Sequence, residues 1–301
     1  MVTVDRCELR GMAQPLVVTV LFNRHLPGEH GLLRLRVGKV ARQVQPGHFV
    51  QLICDPRLTL PRPFSVMDAD PEQGSVDIFY RVVGEGTRIM ASWKGGEELR
   101  VLMPLGRPFV WPEEKKNILL IAGGAGIAPV HFLARRLVER GQSAVLVWGI
   151  ETEAPLMTIA ARLDGFPLDV AFVESAEALA ALDAVGVSSR LASMTPMAGR
   201  FHGYVTDLAE HYLERSSEAL RRRTELYACG PTVMLRAVAR LAERFGLSGQ
   251  VSLEERMACG FGVCAACVVP VRQESGVGWS YRKICTEGPV FSLADIAWES
   301  G

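Results

Sequence analysis

NILLIAGGAGIAPVHFLARRLVERG occupies residues 117–141, and its reading decides the fold of the middle of the chain. It begins as an unbroken apolar run of strand length. A strand without polar alternation is one covered on both faces, as in a parallel sheet. From Ile127 the apolar residues recur at helical spacing and stop at Gly141. Between the two lie Gly123, Gly124 and Gly126, a turn whose backbone can closely approach a pyrophosphate. The pattern departs from G-x-G-x-x-G, because its last place is Pro129, a residue that suits the first turn of a helix. Alone, such a turn is equally a tight connection that binds nothing.

Working outward, the same alternation continues. It predicts strand AVLVWG (144–149), helix PLMTIAARL (155–163), strands LDVAFV (168–173) and GYVT (203–206), and helix DLAEHYLERS (207–216). Strand ELYACG (225–230) and helix TVMLRAVARLAERF (232–245) follow. These are βα units around a parallel sheet. The turn YACGPTVM, with Cys229, Gly230 and Pro231, is a second glycine-bearing strand end. Two such ends in one sheet point to a crevice at its carboxyl edge. The Ala/Ser-rich stretch 175–201 is ambiguous, compatible with a helix plus loop, and is assigned no function.

Before residue 110 the texture is different. LVVTVLF, LLRLRV, HFVQLIC, SVDIFYRVV and ELRVLMPLG are short strand-like runs separated by turn signals such as LPGEHG and DADPEQG. They predict an antiparallel barrel or sandwich. Within this part LPRPFSV carries Arg62, Pro63, Phe64 and Ser65. Arginine beside a strand can hold a phosphate bidentately, an aromatic ring can lie on an isoalloxazine, and a serine can hydrogen-bond to a flavin. Alone, these are as well read as a solvated arginine and a core phenylalanine. The downstream FYRVVGEGT adds weight, since Gly86 and Thr87 begin a helix whose N-terminal N–H groups make an anion site.

The tail is the most specific part. Cys259, Cys264, Cys267 and Cys285 are spaced C-x4-C-x2-C-x17-C, the plant-type pattern for a [2Fe–2S] cluster. Gly260 and Gly262 permit the sharp turns such a loop needs, and Ala265 and Ala266 keep it slim. Structural zinc more often takes two C-x2-C knuckles, and only one is present. Cys7 and Cys54 read as ordinary thiols.

Hydrophobic residues make up 49% and charged residues 22% of the 301, with 33 basic side chains against 33 acidic. That balance gives no footprint for nucleic acid. No apolar run is long enough to span a bilayer, and no signal-peptide pattern opens the chain. A cytoplasmic setting is expected, where an odd count of seven cysteines, four of them clustered near one end, fits ligation rather than disulfides.

Taken in order, RPFS, VVGEGT, AGGAGIAPV, YACGP and the cysteine tail resemble the ferredoxin–NADP reductase superfamily. EERMACGFGVCAACVVPV with KICTEGPVF is similar to the electron-transfer subunits of class B dihydroorotate dehydrogenases. The resemblance implies an FAD-binding β-barrel over 1–112, an NAD-binding α/β domain over 113–248 and a [2Fe–2S] domain over 249–301. It places Arg62, Pro63, Phe64, Ser65, Phe79, Tyr80 and Arg81 around FAD, with Gly86 and Thr87 at its pyrophosphate. It places Gly123, Gly124, Gly126, Cys229, Gly230 and Pro231 on the nicotinamide side, and the four tail cysteines on the cluster. It implies a separate FMN-containing subunit that oxidises dihydroorotate, in a heterotetramer, and no catalytic base on this chain. An NAD(P)H-dependent ferredoxin reductase or diaphorase subunit has the same build. A zinc-stabilised module without redox chemistry is the more distant alternative.

Overall fold

The computed structural model describes residues 13–112, 116–151, 153–161, 177–273 and 277–299. Six strands close an antiparallel barrel in the order β1-β2-β5-β4-β3-β6. They are β1 (Gln14–Leu26), β2 (His30–Arg36), β3 (Phe49–Leu52), β4 (Arg62–Asp70), β5 (Ser75–Arg81) and β6 (Glu98–Leu105). Val18, Leu33, Leu35, Val50, Leu52, Val66, Ile78 and Val101 fill its interior. Five strands were expected. The sixth, β4, contains the flavin motif itself, and Pro63 disguises it. Pro63 is tolerated because β4 pairs there with β3 alone, so its missing N–H breaks no second ladder.

The second layer is a seven-stranded sheet, β12-β11-β8-β7-β13-β14-β17. Its strands are β7 (Asn117–Gly123), β8 (Ala144–Gly149), β11 (Ser188–Ser193), β12 (Phe201–His202), β13 (Thr224–Cys229), β14 (Ser248–Ser252) and β17 (Val290–Ser292). All pairings are parallel except β14 with β17. Helix Ile127–Glu139 covers one face of this sheet, and helices Val205–Arg215 and Thr232–Phe245 contribute to the core on the other. The sheet runs on past Gly249, so the cysteine-rich segment is stitched to it at both ends by β14 and β17. A two-stranded ribbon of β15 (Val268–Arg272) and β16 (Trp279–Lys283) lies between them.

Three sequence expectations are corrected. Residues 155–163 were expected to be helical, but β9 (Thr158–Ala160) pairs antiparallel with β10 (Glu177–Leu179). Met157 and Ile159 are 78% and 39% exposed whereas Leu156 packs against the core, so the apolar residues do not share one buried helical face. GYVT is not a strand. The Asp207 carboxylate accepts from the Tyr204 N–H at 2.9 Å, and the helix starts at Val205. The unassigned 175–201 stretch contains β11, which pairs with β8. Its sequence SSRLAS looks like a loop, yet Ser189, Arg190 and Ser193 are buried. Ser189 Oγ accepts from the Leu179 N–H at 2.8 Å. Strand LDVAFV and Cys7 lie outside the described residues.

Barrel and sheet meet across helix Ile127–Glu139. Arg135 reaches Asp68 at 2.7 Å, and Arg136 donates to the Ala69 carbonyl at 2.7 Å. His131 is buried between them, its Nδ1 3.4 Å from the Met67 carbonyl and its Nε2 without a hydrogen-bond partner among the described residues. Burial pushes its pKa down to about 4, and burial does the same for His48. Above pH 6.5 folded and unfolded chains both hold neutral rings, so nothing is lost. As pH falls from 6.5 toward 4 only the unfolded chain takes up the protons, and stability drops by roughly 3 kcal/mol per ring. His131→Leu should flatten this slope by its share, leaving that of His48. Chemical denaturation at a series of pH values reads it directly.

Candidate cofactor clefts and cysteine loop

β4 and β5 pair only from Val66 opposite Ile78 to Asp70 opposite Ser75. Beyond that rung they part. Arg62, Pro63, Phe64 and Ser65 form one lip, and Phe79, Tyr80 and Arg81 the other, of a cleft of about 560 Å³. Helix Glu85–Ser92 aims its N-terminus into the same space, with Gly84, Gly86 and Thr87 on the wall. Arg62 lies over that N-terminus: a Cβ on Gly86 would sit 3.3 Å from Arg62 Nε. A guanidinium beside the unpaired N–H groups of a first helical turn is a site for a phosphate. Thr87 serves it indirectly. Its hydroxyl accepts from the Val83 and Gly84 N–H groups at 2.9 and 3.1 Å and so holds the turn.

The two aromatics of β5 do unequal work. Tyr80 is 1% exposed, turns into the barrel and donates to Asn23 Oδ1 at 2.9 Å. Phe79 faces the sheet and stacks on His30 with centroids 5.1 Å apart. Both therefore shape the cleft wall while most of their surface is already covered. Arg81 is exposed, and Phe64 and Ser65 are partly so.

The opposite wall is the carboxyl edge of the sheet, where β7 and β13 lie side by side although the chain visits β8, β11 and β12 between them. This is the switch point where open α/β sheets bind ligands. Gly123 and Gly124 line the cleft there, with Pro231. Gly126, Cys229 and Gly230 do not line it; they form the support behind. A Cβ on Gly126 would meet the Cys229 carbonyl oxygen at 2.3 Å, and one on Gly123 would meet Met234 Sδ at 2.6 Å. Gly124 alone of the three points into open space, at φ +52°. The glycines thus let the two turns pack on each other and leave one bare backbone facing the ligand. Gly126→Ala forces backbone apart and should cost roughly 1–3 kcal/mol in thermal unfolding.

Cys229 is fully buried, and its thiol donates to Glu254 Oε1 at 3.8 Å. Burial pushes this thiol far up, and the Glu254 carboxylate adds to the shift. Glu254 itself is raised by desolvation, although it opens onto the cleft. The sequence did not place Glu254, Glu255 or Met257 here, because they precede the cysteines and look like part of the tail. They join the wall because β14 delivers the chain to it.

Two residues after Met257 comes Cys259. Gly260 at φ +76°, Gly262 at +90° and, unusually for a side-chain-bearing residue, Ala265 at +53° coil the loop. Burial opposes ionisation of Cys259, but N–H groups of Cys264, Phe261 and Val263 outweigh it and bring the thiol down to about 6. The loop is docked on the far ligand's segment: Lys283 Nζ donates to the Gly262 carbonyl at 2.7 Å, and the Ile284 N–H to the Cys267 carbonyl at 2.7 Å.

Among the described residues no three His, Cys, Asp or Glu side chains converge on one ion-sized point. The sulfurs instead approach in two pairs. Cys264 N–H reaches Cys259 Sγ at 3.5 Å, which sets these two residues side by side on the loop. Cys285 is raised to about 12 by burial and then by its bond to Cys267. Two sulfurs for each of two irons is what a [2Fe–2S] core requires. The pairs also differ in setting. Cys267 and Cys285 are each 2% exposed within the core, whereas Cys264 faces outward.

Residues 254–297 match the iron-sulfur cluster binding domain of dihydroorotate dehydrogenase B. Over 262 residues the chain is 36% identical to the dihydroorotate dehydrogenase B (NAD(+)) electron transfer subunit of Shouchella clausii, covering 85% of this chain and 88% of that one. The chain belongs to that family. The Bacillus cereus member is 34% identical over 265 residues, covering 86% and 90%. The solved structure of an NADH-dependent reduced ferredoxin-NADP oxidoreductase, studied for flavin-based electron bifurcation, superposes with a TM-score of 0.74. It is 25% identical and covers 94% of this chain and 91% of its own. A ferredoxin reductase of carbazole 1,9a-dioxygenase shares the fold, with a TM-score of 0.58 at 18% identity, over 78% and 67% of the two chains.

As a dihydroorotate dehydrogenase B electron transfer subunit the chain is an oxidoreductase component of the ferredoxin-reductase type. No helix among the described residues is long and apolar enough to cross a membrane.

Proposed function

We propose that the chain holds FAD in the cleft between barrel and sheet, NAD at the β7–β13 edge, and a [2Fe–2S] cluster on Cys259, Cys264, Cys267 and Cys285. It would carry electrons from the FMN of a dihydroorotate-oxidising partner to NAD+, within pyrimidine synthesis in the cytoplasm. A nicotinamide carries a hydride, a two-iron cluster moves single electrons, and a flavin handles both, so the flavin belongs between them.

One observation supports this order above the rest. The segment that builds the flavin cleft also builds the cluster loop: Leu253, Glu254, Glu255 and Met257 line the cleft, and Cys259 follows. At the other end Pro289 lines the cleft, four residues after Cys285. The chain's own residues thus set the two sites side by side, and Arg62 with the Gly84–Thr87 turn would position the flavin phosphates. No acid–base group is needed on this chain.

The outward pair gives the relay a direction. Phe261 is 54% and Val263 74% exposed beside Cys264, and together they make an apolar rim around the exposed side of the cluster site. We read this rim as the face that meets the FMN subunit, in a heterotetramer of two copies of each. Three functional units follow, a flavin barrel (1–112), a nicotinamide unit (113–248) and a cluster unit (249–301), the last anchored on the sheet.

The likeness to an NADH-dependent ferredoxin-NADP oxidoreductase favours, as a second reading, a subunit that reduces a ferredoxin. Co-expression decides between them. The first reading expects co-purification with an FMN subunit and dihydroorotate-dependent NAD+ reduction by the pair. NADH-dependent ferredoxin reduction without such a partner would favour the second.

A further inference from the structure

Strand β3 reads Phe49, Val50, Gln51, Leu52, and all four are buried. Val50 and Leu52 point into the barrel core, so by the strand's alternation Phe49 and Gln51 point out of it. Gln51 is 2% exposed, and neither its Nε2 nor its Oε1 has a hydrogen-bond partner among the described residues. A side-chain amide offers two donors and an acceptor, and buried polar atoms are nearly always paired. A leucine would fill the same space without that penalty, so the amide points to a missing partner.

What covers the amide is the cluster loop. A Cβ on Gly260 would meet Gln51 Nε2 at 2.4 Å, Cγ at 2.6 Å and Cδ at 2.9 Å. Gly260 is a glycine partly because Gln51 occupies the place of its side chain. Gln51 also shares an outer groove of about 490 Å³ with Cys259 and Phe261. On its own strand pair it stands opposite Pro63, whose neighbours Arg62 and Phe64 line the flavin cleft. This orphaned amide of the barrel wall therefore sits between the ligand loop and the flavin motif.

We propose that Gln51 is a positioning residue that donates a side-chain N–H to the sulfur of the iron–sulfur centre at Cys259. This rests on the four cysteines being its ligands. The chemistry of the donor fits. Reduction adds negative charge to the sulfurs, so an N–H aimed at them stabilises the reduced form more than the oxidised one and raises the reduction potential. The bond also ties the loop to β3, and hence to the strand that holds the flavin.

The test uses the anaerobically purified, cluster-loaded protein. The midpoint potential is followed by EPR, and nitrogen couplings to the reduced cluster are measured after 15N labelling of glutamine side chains. Gln51→Leu should shift the cluster potential downward, Gln51→Glu further down because a carboxylate only accepts, and both should leave the FAD potential unmoved. The wild type should show a glutamine 15N coupling that Gln51→Leu loses. An unchanged potential and unchanged g-values in a loaded Gln51→Leu protein overturn the proposal. Should that variant fail to load, the wild-type spectrum decides alone: a glutamine 15N coupling supports the bond and its absence overturns it. A wild type with no [2Fe–2S] signal at all is a different failure, that of the ligand assignment, and takes the proposal with it.

Discussion

Cys285→Ser should abolish the [2Fe–2S] signal and cut partner-driven NAD+ reduction by more than about a hundredfold, while NADH oxidation by ferricyanide persists. Cys285 is 2% exposed and packs in the core with Cys267, Val271 and Ile284. A serine there offers a neutral hydroxyl where a thiolate ligand is needed, and leaves Cys267 to hold its iron without its mate. Cys285 itself does not line the flavin cleft, and most of the cleft wall comes from β4, β5, helix Glu85–Ser92 and the sheet edge, with Leu253, Glu254, Glu255, Met257 and Pro289 from the flanks of the cysteine segment. Hydride chemistry between NADH and FAD should therefore survive and be collected by a small oxidant. Loss of both activities together would mean that the cysteine segment serves the flavin site as a whole. EPR of the dithionite-reduced variant and parallel steady-state assays separate these outcomes.

Arg62→Ala should weaken FAD retention by about 10- to 100-fold, with the cluster's visible absorbance retained. Arg62 crosses the N-terminus of helix Glu85–Ser92, above Gly86, and is steadied by the Leu60 carbonyl at 2.7 Å. Removing it takes away the only charged arm of that lip and leaves the helix N–H groups to hold the phosphates alone. Arg62→Lys should recover part of the loss, since an ammonium supplies the charge but not the planar fork. Flavin fluorescence released on gel filtration, set against iron content, measures the effect. Equal loss of flavin and iron would instead indicate a general failure of the fold.

Much of this was legible from local patterns. The apolar run at 117–123 announced a strand covered on both faces, and its glycines announced the turn. The barrel was legible from five alternating runs, and the cluster from the cysteine intervals. What stayed hidden depended on burial by distant parts of the chain. β4 was masked by Arg62 and Pro63, which look like a loop until one sees that the strand has lost a neighbour there. β11 was masked by Ser189, Arg190 and Ser193, buried polar residues of which Ser189 and Ser193 pair with Leu179 and Glu151, outside the strand. Residues 155–161 showed a helical pattern, but Met157 and Ile159 face outward while Leu156 packs against the core. Within the site, local motifs named the lips of the cleft but not its floor. Glu254 and Met257 reach it only because β14 carries the tail back to the sheet, and no local signal marks Gln51, whose meaning lies in being unpaired against Gly260.

The central claim is that flavin and iron–sulfur centre share this one chain and exchange electrons within it. An anaerobic titration of the isolated protein with NADH, followed by absorbance and EPR in the same sample, tests it most directly. The account predicts bleaching of bound FAD and, with it, the EPR signal of a reduced [2Fe–2S] cluster in step with iron and sulfide content. A protein that reduces its flavin but leaves an intact cluster oxidised, or that carries zinc in place of iron, would contradict it.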